Sequence, residues 1–166
     1  MASVQRLNHA VLYVRDASQS AAFYCAALGF EVESDFGPGQ AVFLRAAGSG
    51  NHHDLGLFSR GNAATRAPQG AIGLYHLAWQ VDTIEELAQV RAQLVTLGAL
   101  VGESDHGTSK SLYAHDPDGI EFEVAWLVPR DSWDLSVMAA PLNLTQELNR
   151  WAGVSTAAQS VERLSS

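Results

Sequence analysis

LNHAVLYV, residues 7–14, has a counterpart in LYHLAWQV, residues 74–81. The third residue of each run is a histidine, His9 or His76, and apolar residues alternate behind it. Alternation with period two marks a strand that buries one face. Ala10, Leu12 and Val14 share one face of the first run, and His9 joins Val11 and Tyr13 on the other. In the second run Leu77, Trp79 and Val81 share a face, and His76 points the other way with Ala78 and Gln80. A helical segment follows each run, SQSAAFYCAAL at 18–28 and TIEELAQVRAQLVTL at 83–97. Thr83 with Glu86 three residues on is a capping box. Leu87, Val90, Leu94 and Leu97 then mark one helix face, as do Ala21, Tyr24, Cys25 and Leu28 in the first copy. Gly29 and Gly98 stop the helices, because the chain turns left-handed there.

The repeat is an internal duplication. It predicts two β-α-β-β-β modules, module one at 5–59 and module two at 74–128, in an α+β fold. Residues 60–73, RGNAATRAPQGAIG, read as the linker between them. Asp116-Pro117-Asp118-Gly119 reads as a tight turn, with Pro at its first central position. In the strand after it Ile120, Phe122 and Val124 share a face and Glu121 and Glu123 point away. Beyond Pro129 the pattern stops, and 129–166 read as a C-terminal helical appendage with short helices at 143–151 and 156–164.

Composition narrows the function classes. The 166 residues are 47% hydrophobic and 17% charged, which is the profile of a globular chain. Ten Lys and Arg against 18 Asp and Glu give a net charge of −8. That argues against nucleic acid or an anionic membrane as a partner, since both require a basic surface. A single cysteine, Cys25, excludes an intrachain disulfide framework. Its place on an apolar helix face reads as inert core. No apolar run has the length of a membrane span and no secretory leader is evident, so a cytoplasmic location is expected.

His9, His76 and Glu123 are the residues best suited to chemistry. Two imidazoles and a carboxylate, with other coordination positions open, are the ligand set of a non-haem Fe(II) oxygenase. The same donors suit Mn, Zn, Ni or Co. A lone His on a sheet face is more often solvated than ligating; the matched placement of two shifts the balance to a metal. In NHHDLGLF, residues 51–58, one of His52 and His53 is a candidate acid/base group. Strand alternation puts His52 on the face of Asp54. Matching Gly50 with Gly119 sets Asp54 at the place of Glu123, so Asp54 is a candidate fourth ligand. His106 and Tyr113 precede the Asp-Pro turn. Phe36, Phe43, Trp126 and Trp133 are candidate pocket walls, with core the more frequent fate of such residues.

The two openings HAVLYV and HLAWQV, together with DPDGIEFEV at 116–124, resemble the vicinal oxygen chelate superfamily of glyoxalase I, bleomycin- and fosfomycin-resistance proteins and type I extradiol dioxygenases. The resemblance spans about residues 5–128. It implies paired modules whose mixed sheets curl into a cup around one metal. Within that superfamily the chain looks most like catechol 2,3-dioxygenase-type extradiol enzymes. That likeness implies Fe(II) held by His9, His76 and Glu123, with His53 as acid/base. It implies that His106 assists proton transfer or substrate positioning and that Tyr113 hydrogen-bonds the substrate. The reactants would be an aromatic diol and O₂, and the ring would open beside the diol. A glyoxalase-like isomerase or lyase with Asp54 as fourth ligand is the alternative enzyme. A bleomycin-resistance-type binding protein is the alternative outside catalysis. Open sheet edges make a homodimer the expected assembly.

Overall fold

Residues 2–68 and 70–156 are described by a computed structural model. They form two compact units. One comprises the described residues up to Gly73 with Asp116–Asp118; the other comprises Leu74–His115 and the described residues from Gly119 on.

The first unit runs β1 (Ala10–Val14), α1 (Ala17–Leu28), β2 (Glu31–Asp35), β3 (Ala41–Arg45) and β4 (Leu55–Ser59). The order in its sheet is β1-β4-β3-β2, with β1 parallel to β4 and the other pairs antiparallel. The second unit repeats this with β5 (Leu77–Val81), α2 (Ile84–Thr96), β6 (Leu100–Asp105), β7 (Ser109–His115) and β8 (Glu121–Leu127). Its order is β5-β8-β7-β6, again with one parallel pair, β5 and β8. The expected α+β duplication is therefore present as two four-stranded mixed sheets.

Local chemistry sets the element ends. Asp16 caps α1, its side chain accepting from the Gln19 N–H, and Gly29 ends the helix at φ 69°. Thr83 and Glu86 make the full capping box of α2. In the first unit the sheet packs α1 through Leu12, Val14, Leu44, Leu55 and Leu57 against Ala17, Ala21, Tyr24 and Ala27, all buried. In the second, Leu112, Phe122, Val124 and Trp126 lie under Ile84, Leu87 and Leu94. Each large apolar side chain so buried contributes about 1.5–3 kcal/mol. Two expectations fail at the helix margins. Leu97 is 43% exposed, because α2 ends at Thr96 and Leu97 is its C-cap, beyond the buried stripe of Ile84, Leu87 and Leu94. Cys25 is half-buried rather than core, because Ala17, Ala21, Tyr24 and Ala27 form the buried stripe.

The strand register corrects the equivalence expected for Asp54. Val11 pairs with Gly56, and Ala78, the matching residue of β5, pairs with Glu123. Gly56 thus occupies the station of Glu123, and Asp54 that of Glu121. The two turn glycines misled the alignment because the segment from Gly50 to the matching station is two residues longer than that from Gly119.

The Asp-Pro turn groups with the first unit. The Arg15 N–H and guanidinium both donate to Asp118, at 2.7 Å each. Tyr24 donates to Asp116 at 3.3 Å, and burial, then the Asp116 charge, pushes its phenol far above the ordinary range.

The chain beyond β8 belongs to the second unit. It makes a short 3-10 turn, Arg130–Ser132, and then α3 (Leu144–Arg150), capped by Asn143. This matches the helix expected at 143–151; the one expected at 156–164 lies, beyond Thr156, outside the described residues. Ala140 forms an antiparallel bridge with Asp105, and buried Lys110 ion-pairs with Asp105 and Glu147. Among the described residues no helix is long and apolar enough to cross a membrane.

Candidate metal and catalytic site

In the first unit His9 immediately precedes β1, and its ring centroid is 4.6 Å from that of His53. Phe43 on β3 pairs with Gly56 on β4. A Cβ at Gly56 would come to 3.2 Å of the Phe43 ring, so the absent side chain is what lets Phe43 lie close over the sheet. His53 stacks on that ring, 4.6 Å between centroids and 11° from parallel. Burial, then the neighbouring His9 and His52, lowers the His53 pKa against the opposing pull of Asp54. That shift favours the neutral imidazole of His53, which has a lone pair for a proton. His52 is exposed, and its Nδ1 is 3.1 Å from that of His53. The contact with His9 and Phe43 belongs to His53, not to the residue that alternation favoured. β4 starts at Leu55, so the pleat does not govern residues 52 and 53.

Phe36 and Phe58 flank Phe43, at 5.3 and 5.9 Å between centroids. With Val11 and Tyr13 they leave an exposed apolar and aromatic sheet face. Phe36 and Phe43 thus lie on this face rather than in the core. Trp126 is fully buried in the core, and Trp133 is tied to the Val128 carbonyl at 2.7 Å.

Asp54 is engaged on both oxygens. Ser49 Oγ and Asn51 Nδ2 donate to Oδ1 at 2.8 and 2.7 Å, and the Ala46 N–H donates to Oδ2 at 2.9 Å. Burial alone would push its carboxyl up; these donors and the Arg6 charge outweigh that and hold it below the usual carboxylate range.

In the second unit His76 Nε2 faces Glu123 Oε2 at 3.0 Å, and both side chains are largely buried. An imidazole lone pair and a carboxylate oxygen repel at that distance unless a proton or a cation lies between them. Two ligand atoms bound to one cation at about 2.0–2.2 Å, at right angles, stand about 3 Å apart. His76 Nδ1 is buried without a hydrogen-bond partner, 3.9 Å from Glu121. The pair fits two of a metal's three expected protein ligands by donor type and spacing. Among the described residues no three His, Cys, Asp or Glu side chains are grouped around one point as ion ligands. Each unit brings together its own part of the expected set: His9 with His53 in one, His76 with Glu123 and Tyr113 in the other.

Tyr113 on β7 pairs across the sheet with Glu123. Its ring centroid is 5.8 Å from that of His76. Its hydroxyl is 2.9 Å from His106 Nε2, and His106 Nδ1 is 2.7 Å from the Met138 carbonyl. A carbonyl only accepts, so Nδ1 carries the proton. In the neutral ring Nε2 then accepts from Tyr113. Burial, then Glu123, Tyr75 and Glu121, raises the Tyr113 pKa and keeps the phenol protonated. The carbonyl of Met138 was not legible as a functional group, because any residue supplies one.

Residues 6–124 match the family model described as Glyoxalase/Bleomycin resistance protein/Dioxygenase superfamily. The chain is 32% identical over 130 residues to a protein named Catechol-2,3-dioxygenase from Bacillus subtilis (strain 168), covering 76% of this chain and 43% of that one. It is 26% identical over 150 residues to Metapyrocatechase 2 from Cupriavidus necator, covering 86% and 44%. It spans less than half the length of either relative. Lactoylglutathione lyase from Agrobacterium tumefaciens has a similar solved structure, with TM-score 0.56, 25% identity and coverage of 75% of this chain and 96% of that one.

Proposed function

The chain belongs to the glyoxalase/bleomycin resistance protein/dioxygenase superfamily, and from that premise we propose that it is an Fe(II)-dependent extradiol dioxygenase cleaving a catechol-type ring. The observation that carries the proposal is the hydrogen-bonded Tyr113–His106 pair on the same unit as the His76–Glu123 pair. A glyoxalase-type isomerase or a drug-binding protein has no evident use for that Tyr–His pair. The likeness to two proteins named as catechol-cleaving enzymes supports the same reading. The engagement of both Asp54 oxygens speaks against the four-ligand isomerase alternative.

In this reading His9, His76 and Glu123 hold the metal. Fe(II), when bound, supplies open positions that orient the diol and O₂ and allow charge to pass between them. His53, its pKa lowered by burial and the neighbouring His9 and His52, accepts a proton from the diol and later returns it. Its stacking on Phe43 keeps the ring in one plane while it does so. The hydroxyl proton of Tyr113 is directed at His106, which leaves the Tyr113 oxygen to accept from a substrate hydroxyl. His106 Nε2 can take the Tyr113 proton, and the Met138 carbonyl stabilises the resulting charge through Nδ1–H. The aromatic face of Phe36, Phe43 and Phe58 offers the ring an apolar wall.

The test is protein purified without air, loaded with Fe(II), and given a panel of substituted catechols with O₂. Yellow ring-cleavage product with O₂ uptake is the expected result. Iron binding with no O₂ uptake on any catechol, together with turnover of a hemithioacetal under Ni, Co or Zn, would replace this reading with the isomerase.

A further inference from the structure

His9 Nδ1 lies 2.8 Å from the side-chain oxygen of Asn8. Asn8 Nδ2 lies 3.2 Å from Asn51 Oδ1, and Asn51 Nδ2 lies 2.7 Å from Asp54 Oδ1. Arg6 Nη2 also reaches Asn51 Oδ1, at 2.7 Å. The polarity of this chain is set at its far end. An ionised carboxylate only accepts and a guanidinium only donates. Asn51, held between Asp54 and Arg6, must therefore turn its NH₂ to the first and its oxygen to the second. Its second amide hydrogen goes to the Asn8 backbone carbonyl at 2.8 Å. The Asn51 oxygen then takes the NH₂ of Asn8, which turns the Asn8 oxygen towards His9. An oxygen facing Nδ1 requires Nδ1 to carry the proton.

We infer that Asp54, Asn51 and Asn8 form a relay that fixes His9 as its Nδ1–H tautomer and so presents the Nε2 lone pair for a metal. The inference rests on the reading of His9 as a ligand. The relay gives Asp54 a task in place of ligation: its low pKa keeps it an acceptor throughout the neutral range, and two amides carry that polarity to the imidazole. Asn8, Asn51 and Asp54 are positioning residues, since none is assigned to metal or substrate. A neutral imidazole has two tautomers, and only one offers Nε2 to a cation. A hydrogen bond to the other ring nitrogen also raises ligand basicity, and losing such a partner typically costs about 10–100-fold in metal affinity.

The experiment uses the full chain, ¹⁵N-labelled at histidine. The His9 ring is read by NMR in metal-free protein at a pH where the imidazole is neutral, and Fe(II) is titrated in anaerobically. Asn8 is exposed, so substitution there leaves the core alone. Wild type should show protonated Nδ1 and bare Nε2. Asn8→Leu should move His9 towards the Nε2–H tautomer and weaken Fe(II) by about 10–100-fold. Asn8→Asp keeps an acceptor at Nδ1 and should restore both the tautomer and the affinity. An Nε2–H resonance for His9 in wild type, or Asn8→Leu with unchanged tautomer and affinity, overturns the relay. Should His9→Ala bind Fe(II) as tightly as wild type, the ligand reading falls and the relay's purpose with it. The ¹⁵N spectrum still decides separately whether the relay sets the tautomer.

Discussion

His53 and His9 stand ring to ring, yet their proposed roles differ. Under the proposed function His53 moves a proton and His9 holds metal, so their substitutions should differ in iron content rather than only in rate. His53→Ala is expected to retain Fe(II) and lose about 10²–10⁴-fold in ring cleavage, the usual worth of an acid/base group. His9→Ala is expected to lose the iron, and activity with it. Metal analysis beside turnover distinguishes the two; an iron-free His53→Ala protein would reverse the assignment. The two strand histidines were legible because a duplicated sequence places them at the same station twice. The choice between His52 and His53 was not legible from alternation, since both precede β4 and what separates them is a stack on Phe43 from another strand. The amide relay behind His9 was equally hidden: Asn8 and Asn51 are far apart in sequence, and asparagine in a loop carries no signal of its partner.

Among the elements, the segment after β8 carries the sharpest expectation. Gly107, at φ 71°, lies so close to the Asp134 carbonyl that a Cβ could not be placed there. Gly107→Ala should push the 134–140 segment off β6 and draw the Met138 carbonyl away from His106. Both the clash and the left-handed backbone oppose alanine, and a loss of about 1–3 kcal/mol in urea unfolding is expected. Turnover should fall as His106 loses its fixed tautomer; a Gly107→Ala protein with wild-type stability and rate would remove the segment from the site. The loop before β4 gives a second test. The folded-state pKa of Asp54 lies below its ordinary 3.8. Its contribution to stability is therefore fully present above about pH 3.8 and is lost as pH falls through the lower folded value. Wild type and Asp54→Asn should differ in unfolding free energy at neutral pH and converge in acid; a difference independent of pH would contradict the hydrogen-bonded carboxylate. Helix caps, strand faces and the Asp-Pro turn were legible here, because each is written in neighbouring residues. The place of Asp54 was not, because a loop's length fixes the register and only the pairing of Val11 with Gly56 reveals it.

At the scale of the molecule, one sheet plan is used twice and loaded differently. The second copy carries Glu123 where the first carries Gly56, and it adds Tyr113 and His106. The first copy uses its open station to seat Phe43, on which His53 stacks. Under the proposed function, divergence of this kind would give one copy the carboxylate ligand and the other the acid/base group. The central claim is that the whole assembly inserts both atoms of O₂ beside a diol. The direct measurement is the mass and structure of the product formed from catechol under ¹⁸O₂ by protein loaded with Fe(II). An extradiol dioxygenase gives two ¹⁸O atoms at the instant of ring opening and a break adjacent to the diol, and that is the expected result. Any ¹⁸O in the aldehyde lost later to water would be recovered by early quenching. A product without ¹⁸O, or one opened between the two hydroxylated carbons, would contradict it.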